Sequence, residues 1–135
     1  MGELKKSKRI DIYGYTIHTV ISEDFDTSVR KYCKGIDEDF STANGLFIHD
    51  NKKGHQGYIF IKPDSPTSTI AHEAFHAACR IMFNIGSELA EESEEPYAYL
   101  VGHITNIVVE AALDWDKKYP AIEGTQSVIP SIENN

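Results

Sequence analysis

The chain is short of cysteine and has no long apolar run. Its 135 residues include two cysteines, Cys33 and Cys79, which can form at most one disulfide. A domain of this size can build an apolar core without a covalent cross-link, so we expect two free thiols in a reducing cytoplasm. No stretch approaches the roughly 18 apolar residues that a membrane-spanning helix requires. The sequence therefore predicts a soluble, cytoplasmic protein with no membrane partner.

Positive charge is also scarce. The chain has 13 lysines and arginines against 21 aspartates and glutamates, which gives a formal net charge of -8 at pH 7. This is the wrong sign for a protein held to phosphates by counterion release, so we expect no nucleic-acid partner. The lysines near the N-terminus precede a segment broken by polar residues, which differs from a secretory signal. We interpret them as a solvated N-terminal arm.

The order of predicted secondary structure favours an α+β fold. Residues 9–22 are rich in β-branched and aromatic side chains and predict one strand, or two strands that turn at Gly14. A short helix is expected from Asp24 or Asp26 to Lys34. The runs GLFIHD and GYIFIKP, separated by the turn-like NKKGHQ, predict a β-hairpin.

Two long helices are predicted after the hairpin. The first can be capped by Ser65, Thr67 or Ser68 and runs to about Asn84, and the second runs from near Ser93 to the Tyr119-Pro120 break. We therefore expect a small, mostly antiparallel sheet with two long packed helices, in one domain over residues 1–120. A loosely attached tail is expected over residues 121–135. Small residues at helical spacing on the two helices would permit a close crossing: Ala71, Ala74, Ala78, Ala98 and Gly102.

The first long helix carries the motif His72-Glu73-Ala74-Phe75-His76. Positions four apart on an α-helix differ by about 40° around the axis, so two imidazoles can bind one zinc ion. Glu73 is rotated by about 100° from His72 and suits the general base that acts on water beside the metal. The alternative is that the two histidines are only hydrogen-bonded boundary residues. A helix as apolar as this one favours the metal, because two adjacent buried imidazoles need a partner.

A catalytic zinc ion normally takes three protein ligands, and the third is not in this motif. The longer motif H-E-x-x-H-x-x-G-x-x-H is absent, because Cys79 and Met82 stand where it requires glycine and histidine. The acidic run before the second helix is the next source. An alternative is that these glutamates are solvated residues at the N-terminus of the helix, where the helix dipole favours negative charge. Glu95 differs because it enters the ordered first turn beside Tyr99, with Glu92 and Glu94 as the open alternatives.

The two segments together resemble the gluzincin branch of the zincin metallopeptidases. His72-Glu73-Ala74-Phe75-His76 is followed nineteen residues later by Glu95-Pro96-Tyr97-Ala98-Tyr99, as in families whose second helix supplies a glutamate ligand. The small size is similar to that of bacterial and phage-encoded peptidases, including those that cleave repressors of mobile elements. The resemblance implies a zincin-like fold and a Zn²⁺-dependent peptidase acting on a peptide or protein.

The same resemblance implies a role for each matching residue. His72, His76 and Glu95 would bind the zinc ion, Glu73 would be the general base and acid, and GYIFIKP would be the edge strand that holds the peptide. Tyr99 stands where the family often has Asp or Asn, which orients a histidine ligand. Tyr99 and His103 are candidates for orienting a metal ligand or stabilising the transition state, and the oxyanion-stabilising residue is unassigned.

A second interpretation of the sequence is that the chain is a non-catalytic binding module. A zincin-like fold that retains or has lost its metal would bind a partner protein without cleaving it. This interpretation is favoured by Tyr99, which departs from the Asp or Asn of the family, and by the unassigned oxyanion donor. A deformylase-type hydrolase ranks below both, because the Cys-containing and Gly-rich segments expected beside its histidine helix are missing.

Overall fold

One mixed sheet of four strands organises residues 2–120, which are the residues that this computed structural model describes. The predicted tail, residues 121–135, lies outside them. The strands are β1 (Glu3–Ile10), β2 (Tyr15–Ser22), β3 (Gly45–His49) and β4 (Gln56–Ile61). Their order across the sheet is β1-β2-β4-β3. Both hairpins are antiparallel, as expected, whereas the central β2–β4 pairing is parallel.

The N-terminal lysines belong to a strand, so the predicted solvated arm is wrong. β1 begins at Glu3 and pairs with β2 along its whole length, and Gly14 turns the chain in the left-handed conformation at φ 61°. The sequence does not predict this strand, because the side that faces the helices is apolar only at its two ends, Leu4 and Ile10. Between them Lys6 forms an ion pair with Asp114, with 2.6 Å between Nζ and Oδ2.

Three α-helices follow the predicted order, with shifted ends. They are α1 (Phe25–Tyr32), α2 (Thr67–Asn84) and α3 (Glu94–Lys118). Asp24 caps α1 by accepting a hydrogen bond from the backbone N–H of Thr27. The sequence offers Ser65, Thr67 and Ser68 as caps for α2, but no side chain caps its N-terminus.

The two long helices lie on one face of the sheet and α1 lies on the other. The larger core joins α2 and α3 to alternate residues of β2 and β4, and the smaller one joins α1 to the opposite face. Ala74 and Ala78 are buried, as expected, but Ala98 and Gly102 of α3 are exposed. Leu100 and Ile104 hold the inner face of α3 instead. No helix within residues 2–120 has the length and hydropathy needed to cross a membrane.

The two edges of the sheet are β1 and β3. The sequence predicts that GYIFIKP is the edge strand, and this is wrong, because β4 lies between β2 and β3. Five of its six residues are buried, since helices cover it on both faces. The open edge beside α2 therefore belongs to β3.

Candidate functional site

The motif histidines lie on the solvent-facing side of α2. Ala74, Ala77 and Ala78 fill the buried side of this helix, so positions rotated away from them face solvent. The side chain of His72 is 66% exposed, and His76 is exposed as well. The predicted burial of the imidazoles is therefore wrong, although their predicted proximity is right.

The two imidazoles meet edge to face. The Nε2 atoms of His72 and His76 lie 3.1 Å apart, and the ring planes are inclined by 76°. At this distance one ring can donate a hydrogen bond to the other, or one cation can accept both lone pairs. Zinc–nitrogen bonds of about 2.05 Å to these two atoms would enclose an angle of roughly 100°, near the tetrahedral value. The pair thus fits two of the ligands of a zinc ion.

Glu73 turns away from solvent towards β3. Its side chain is 8% exposed, and its Oε2 lies 4.0 Å from Nε2 of His72. Burial raises the pKa of Glu73, and the two imidazoles partly oppose this. Gly45 makes the close approach of β3 possible, because a Cβ there would lie 3.1 Å from Cγ and Oε2 of Glu73. The carboxyl group is therefore held between the helix and the first residue of β3.

The motif residues line an open cleft between α2 and β3. Its floor and walls combine the polar groups of α2 with apolar and aromatic side chains from both elements. The other lining residues are Gly45, Leu46, Phe47, His49, Cys79, Arg80 and Phe83. A neutral thiol is expected at Cys79, because burial raises its pKa.

Glu95, Tyr99 and His103 lie elsewhere. All three are exposed and line a shallow depression on the outer face of α3, and none of them lines the cleft that contains His72 and His76. Over residues 2–120 no group of three or more His, Cys, Asp or Glu side chains is placed to hold a metal ion. The structure thus brings together His72, Glu73 and His76 but not the predicted third ligand or its neighbours.

Sequence reasoning missed the part of the cleft that β3 and the end of α2 provide. His49 borders the predicted hairpin turn, where the sequence favours a surface residue, yet it lines this cleft, and its Nδ1 lies 2.7 Å from the hydroxyl of Tyr15. Arg80 follows His76 by four residues, a spacing that already places the two side chains on one helix face. The position of His49 has no such signal, because it depends on how β3 packs beside α2.

Comparison with known protein families, with curated proteins and with solved structures finds no match to this chain.

Proposed function

We propose that the chain is a cytoplasmic, zinc-dependent peptidase that cleaves an extended peptide in the cleft between α2 and β3. The observation that carries the proposal is the 3.1 Å separation of the His72 and His76 Nε2 atoms, with Glu73 beside them. In this proposal the arrangement of helix and edge strand is zincin-like.

Glu95 remains the proposed third ligand. Its support is the sequence spacing and its place on the first turn of α3, the helix that packs against α2, although its side chain is exposed on the outer face of α3. A ligand from α3 would have to approach the imidazoles when the metal binds. Glu92 and Glu94 are the neighbouring alternatives, so each needs its own variant.

The proposed chemistry divides between the metal and Glu73. Zinc bound by the histidines would supply a Lewis acid that polarises a carbonyl and lowers the pKa of water to about 7. Glu73 would accept the proton of the attacking water at its carboxylate and then deliver it to the leaving amine. Its position beside Gly45 would hold that oxygen in place, since the carboxyl group has little room to move.

Within residues 2–120 no strand pairs with the outer edge of β3, and this is the proposed peptide-binding edge. Asp50 donates a backbone hydrogen bond to Gln56, so the alternation of an antiparallel pair leaves the N–H and C=O groups of Gly45, Phe47 and His49 pointing away from β4. These groups can pair with an added strand. The other edge, β1, carries lysines, which natural proteins use to block strand addition, whereas β3 carries none.

Metal analysis and a base variant test this proposal together. We expect purified wild type to bind one zinc ion and to hydrolyse a peptide mixture, and we expect Glu73→Gln to keep zinc and lose hydrolysis. His72→Ala should lose zinc, whereas His103→Ala, an exposed histidine of α3, should keep it. Zinc titrations of the Glu95→Gln, Glu94→Gln and Glu92→Gln variants would identify the third ligand. Wild type without stoichiometric zinc would contradict the proposal.

A non-catalytic binding module is the second candidate. It is favoured by one observation: residues 2–120 hold no three-ligand group. In that case the cleft would bind a peptide from a partner protein and release it unchanged. Tight peptide binding without cleavage by the zinc-loaded protein would favour this candidate over the peptidase.

A further inference from the structure

Arg80 is a cation of the cleft that has no anionic partner among residues 2–120. Its Nε is buried and has no hydrogen-bond partner, and no ion pair within residues 2–120 includes Arg80. A buried donor without an acceptor destabilises the fold, and the cost is larger when the group is charged. A guanidinium with an unsatisfied Nε at the lining of an open cleft is therefore available to bind an anion.

The guanidinium lies beside Phe83 and near the end of β3. It stacks over the ring of Phe83, with 5.1 Å between its carbon and the ring centroid. Burial lowers the pKa of His49, and the charge of Arg80 lowers it further, which places this charge close to the end of β3. Asp50 is also near this end, but it accepts bonds from the backbone N–H groups of Lys52 and Lys53 and from the Gln56 side chain. Asp50 therefore has other partners.

We propose that Arg80 binds a carboxylate of the peptide that occupies the cleft, so that the site selects acidic peptides. The placement of the peptide rests on the proposed function, although the selection itself requires no hydrolysis. Arg80 lies four residues beyond His76 on α2, a rise of about 6 Å. An extended peptide advances about 3.3 Å per residue, so the carboxylate would lie about two residues from the scissile bond.

Arginine suits this role because its planar fork binds a carboxylate through two parallel hydrogen bonds. Apolar walls from Leu46, Phe47 and Phe83 lower the local dielectric and strengthen the attraction. The net charge of -8 repels acidic peptides from the molecule as a whole. A preference for acidic peptides would therefore have to come from a local cation and not from the overall charge.

Peptide binding to the metal-free protein tests this inference separately from catalysis. The probes are fluorescein-labelled octapeptides of alanine with one Glu or one Gln at the fifth position, both with amidated C-termini, and an all-alanine peptide with a free C-terminal carboxylate. Fluorescence anisotropy gives each Kd. We expect the Glu peptide or the free-carboxylate peptide to bind about tenfold more tightly than the Gln peptide, and these two arms distinguish a side-chain carboxylate from a terminal one.

Variants of Arg80 assign the preference to this side chain. Arg80→Met should remove the tenfold preference, Arg80→Lys should retain part of it, and Arg80→Glu should instead prefer a peptide with Lys at the fifth position. Arg30→Met is the matched control, because Arg30 is exposed on α1 at the other face of the sheet. Equal affinity of wild type for all three peptides, or an unchanged preference in Arg80→Met, would overturn the inference. Selective binding without any cleavage would support it while contradicting the peptidase.

Discussion

His18 is a buried histidine whose protonation is set by a chain of hydrogen bonds. Its Nδ1 lies 2.6 Å from the hydroxyl of Ser7, and its Nε2 lies 3.1 Å from Oε1 of Gln56, whose amide nitrogen donates to Asp50. Because Asp50 can only accept, the Gln56 carbonyl faces His18, and Nε2 must carry the proton. The sequence suggests a surface histidine, yet this ring is 9% exposed and stacks on Tyr58.

We expect His18 to make the fold less stable in mild acid. Burial lowers the pKa of His18, and the charges of Lys5 and Lys53 lower it further. Below about pH 6.5 the unfolded chain binds a proton that folded His18 resists, so the free energy of unfolding falls as the pH falls. Urea unfolding of wild type and His18→Gln between about pH 7.5 and 5.5 should show the steeper loss in wild type, by up to about 1.4 kcal/mol per pH unit.

The variant isolates this histidine from the others. His49 also has a lowered pKa, chiefly through burial, but it is present in both proteins and its contribution cancels. Glutamine is neutral at every pH and can still donate and accept at position 18. Parallel pH profiles of the two proteins would contradict the assignment.

The relative positions of site residues were easier to predict when the residues lie on one helix than when they lie on two. The relation between His72, Glu73 and His76 follows from helix geometry alone, so their spacing predicted the 3.1 Å pair correctly. Glu95 lies on a different helix, and its distance from the pair depends on how α3 rotates about its own axis. Tyr97 and Leu100 fix that rotation by packing inward, which leaves Glu95 and Tyr99 exposed.

At the scale of elements, the cleft depends on the close approach of β3 to α2. A Cβ on Gly45 would lie 2.8 Å from Cγ2 of Thr69 and 3.1 Å from Oε2 of Glu73, so a larger residue must displace one of them. We expect Gly45→Ala to reduce kcat at least tenfold because it moves the proposed base, and to cost about 1–3 kcal/mol of stability by overpacking. Peptide cleavage assays and urea unfolding measure the two effects.

Gly102→Ala is the matched control for this substitution. Gly102 lies within α3, and a Cβ there would meet nothing within 4 Å. Alanine should therefore stabilise the helix by up to about 1 kcal/mol and leave cleavage unchanged. If Gly45→Ala cleaves peptides at the wild-type rate, the close approach of β3 is not needed for the proposed base.

The elements themselves were predicted better than their arrangement. Periodicity and turn residues gave β2, the β3–β4 hairpin and all three helices within a few residues, but only the last two residues of β1. Local sequence patterns did not predict the strand order, because the parallel β2–β4 pairing joins segments separated by more than 30 residues. The continuous apolar run of β4 was the available signal, since a strand buried on both faces lacks alternation.

At the scale of the whole molecule, α2 couples the cleft to global stability. This helix packs against α3, β3 and β4, and its inner residues Ile70, Ala74 and Ile81 belong to the larger core. An ion held by His72 and His76 would bind only where α2 is intact, because the unfolded chain does not hold the two imidazoles together. The proposed metal binding would thus be linked to the unfolding of the fold that residues 2–120 form.

We therefore expect zinc to raise the melting temperature of the metal-free protein. A ligand at a hundred times its Kd adds about 2.7 kcal/mol, which for a chain of this size corresponds to a shift of roughly 10 °C. Thermal unfolding followed by circular dichroism should show this shift in wild type and in His103→Ala, and lose it in His72→Ala and His76→Ala. Glu73→Gln should retain most of it, because the proposed base does not bind the metal. An equal shift in wild type and His72→Ala would mean that zinc stabilises the fold from a different site, and the proposed metal centre would then be wrong.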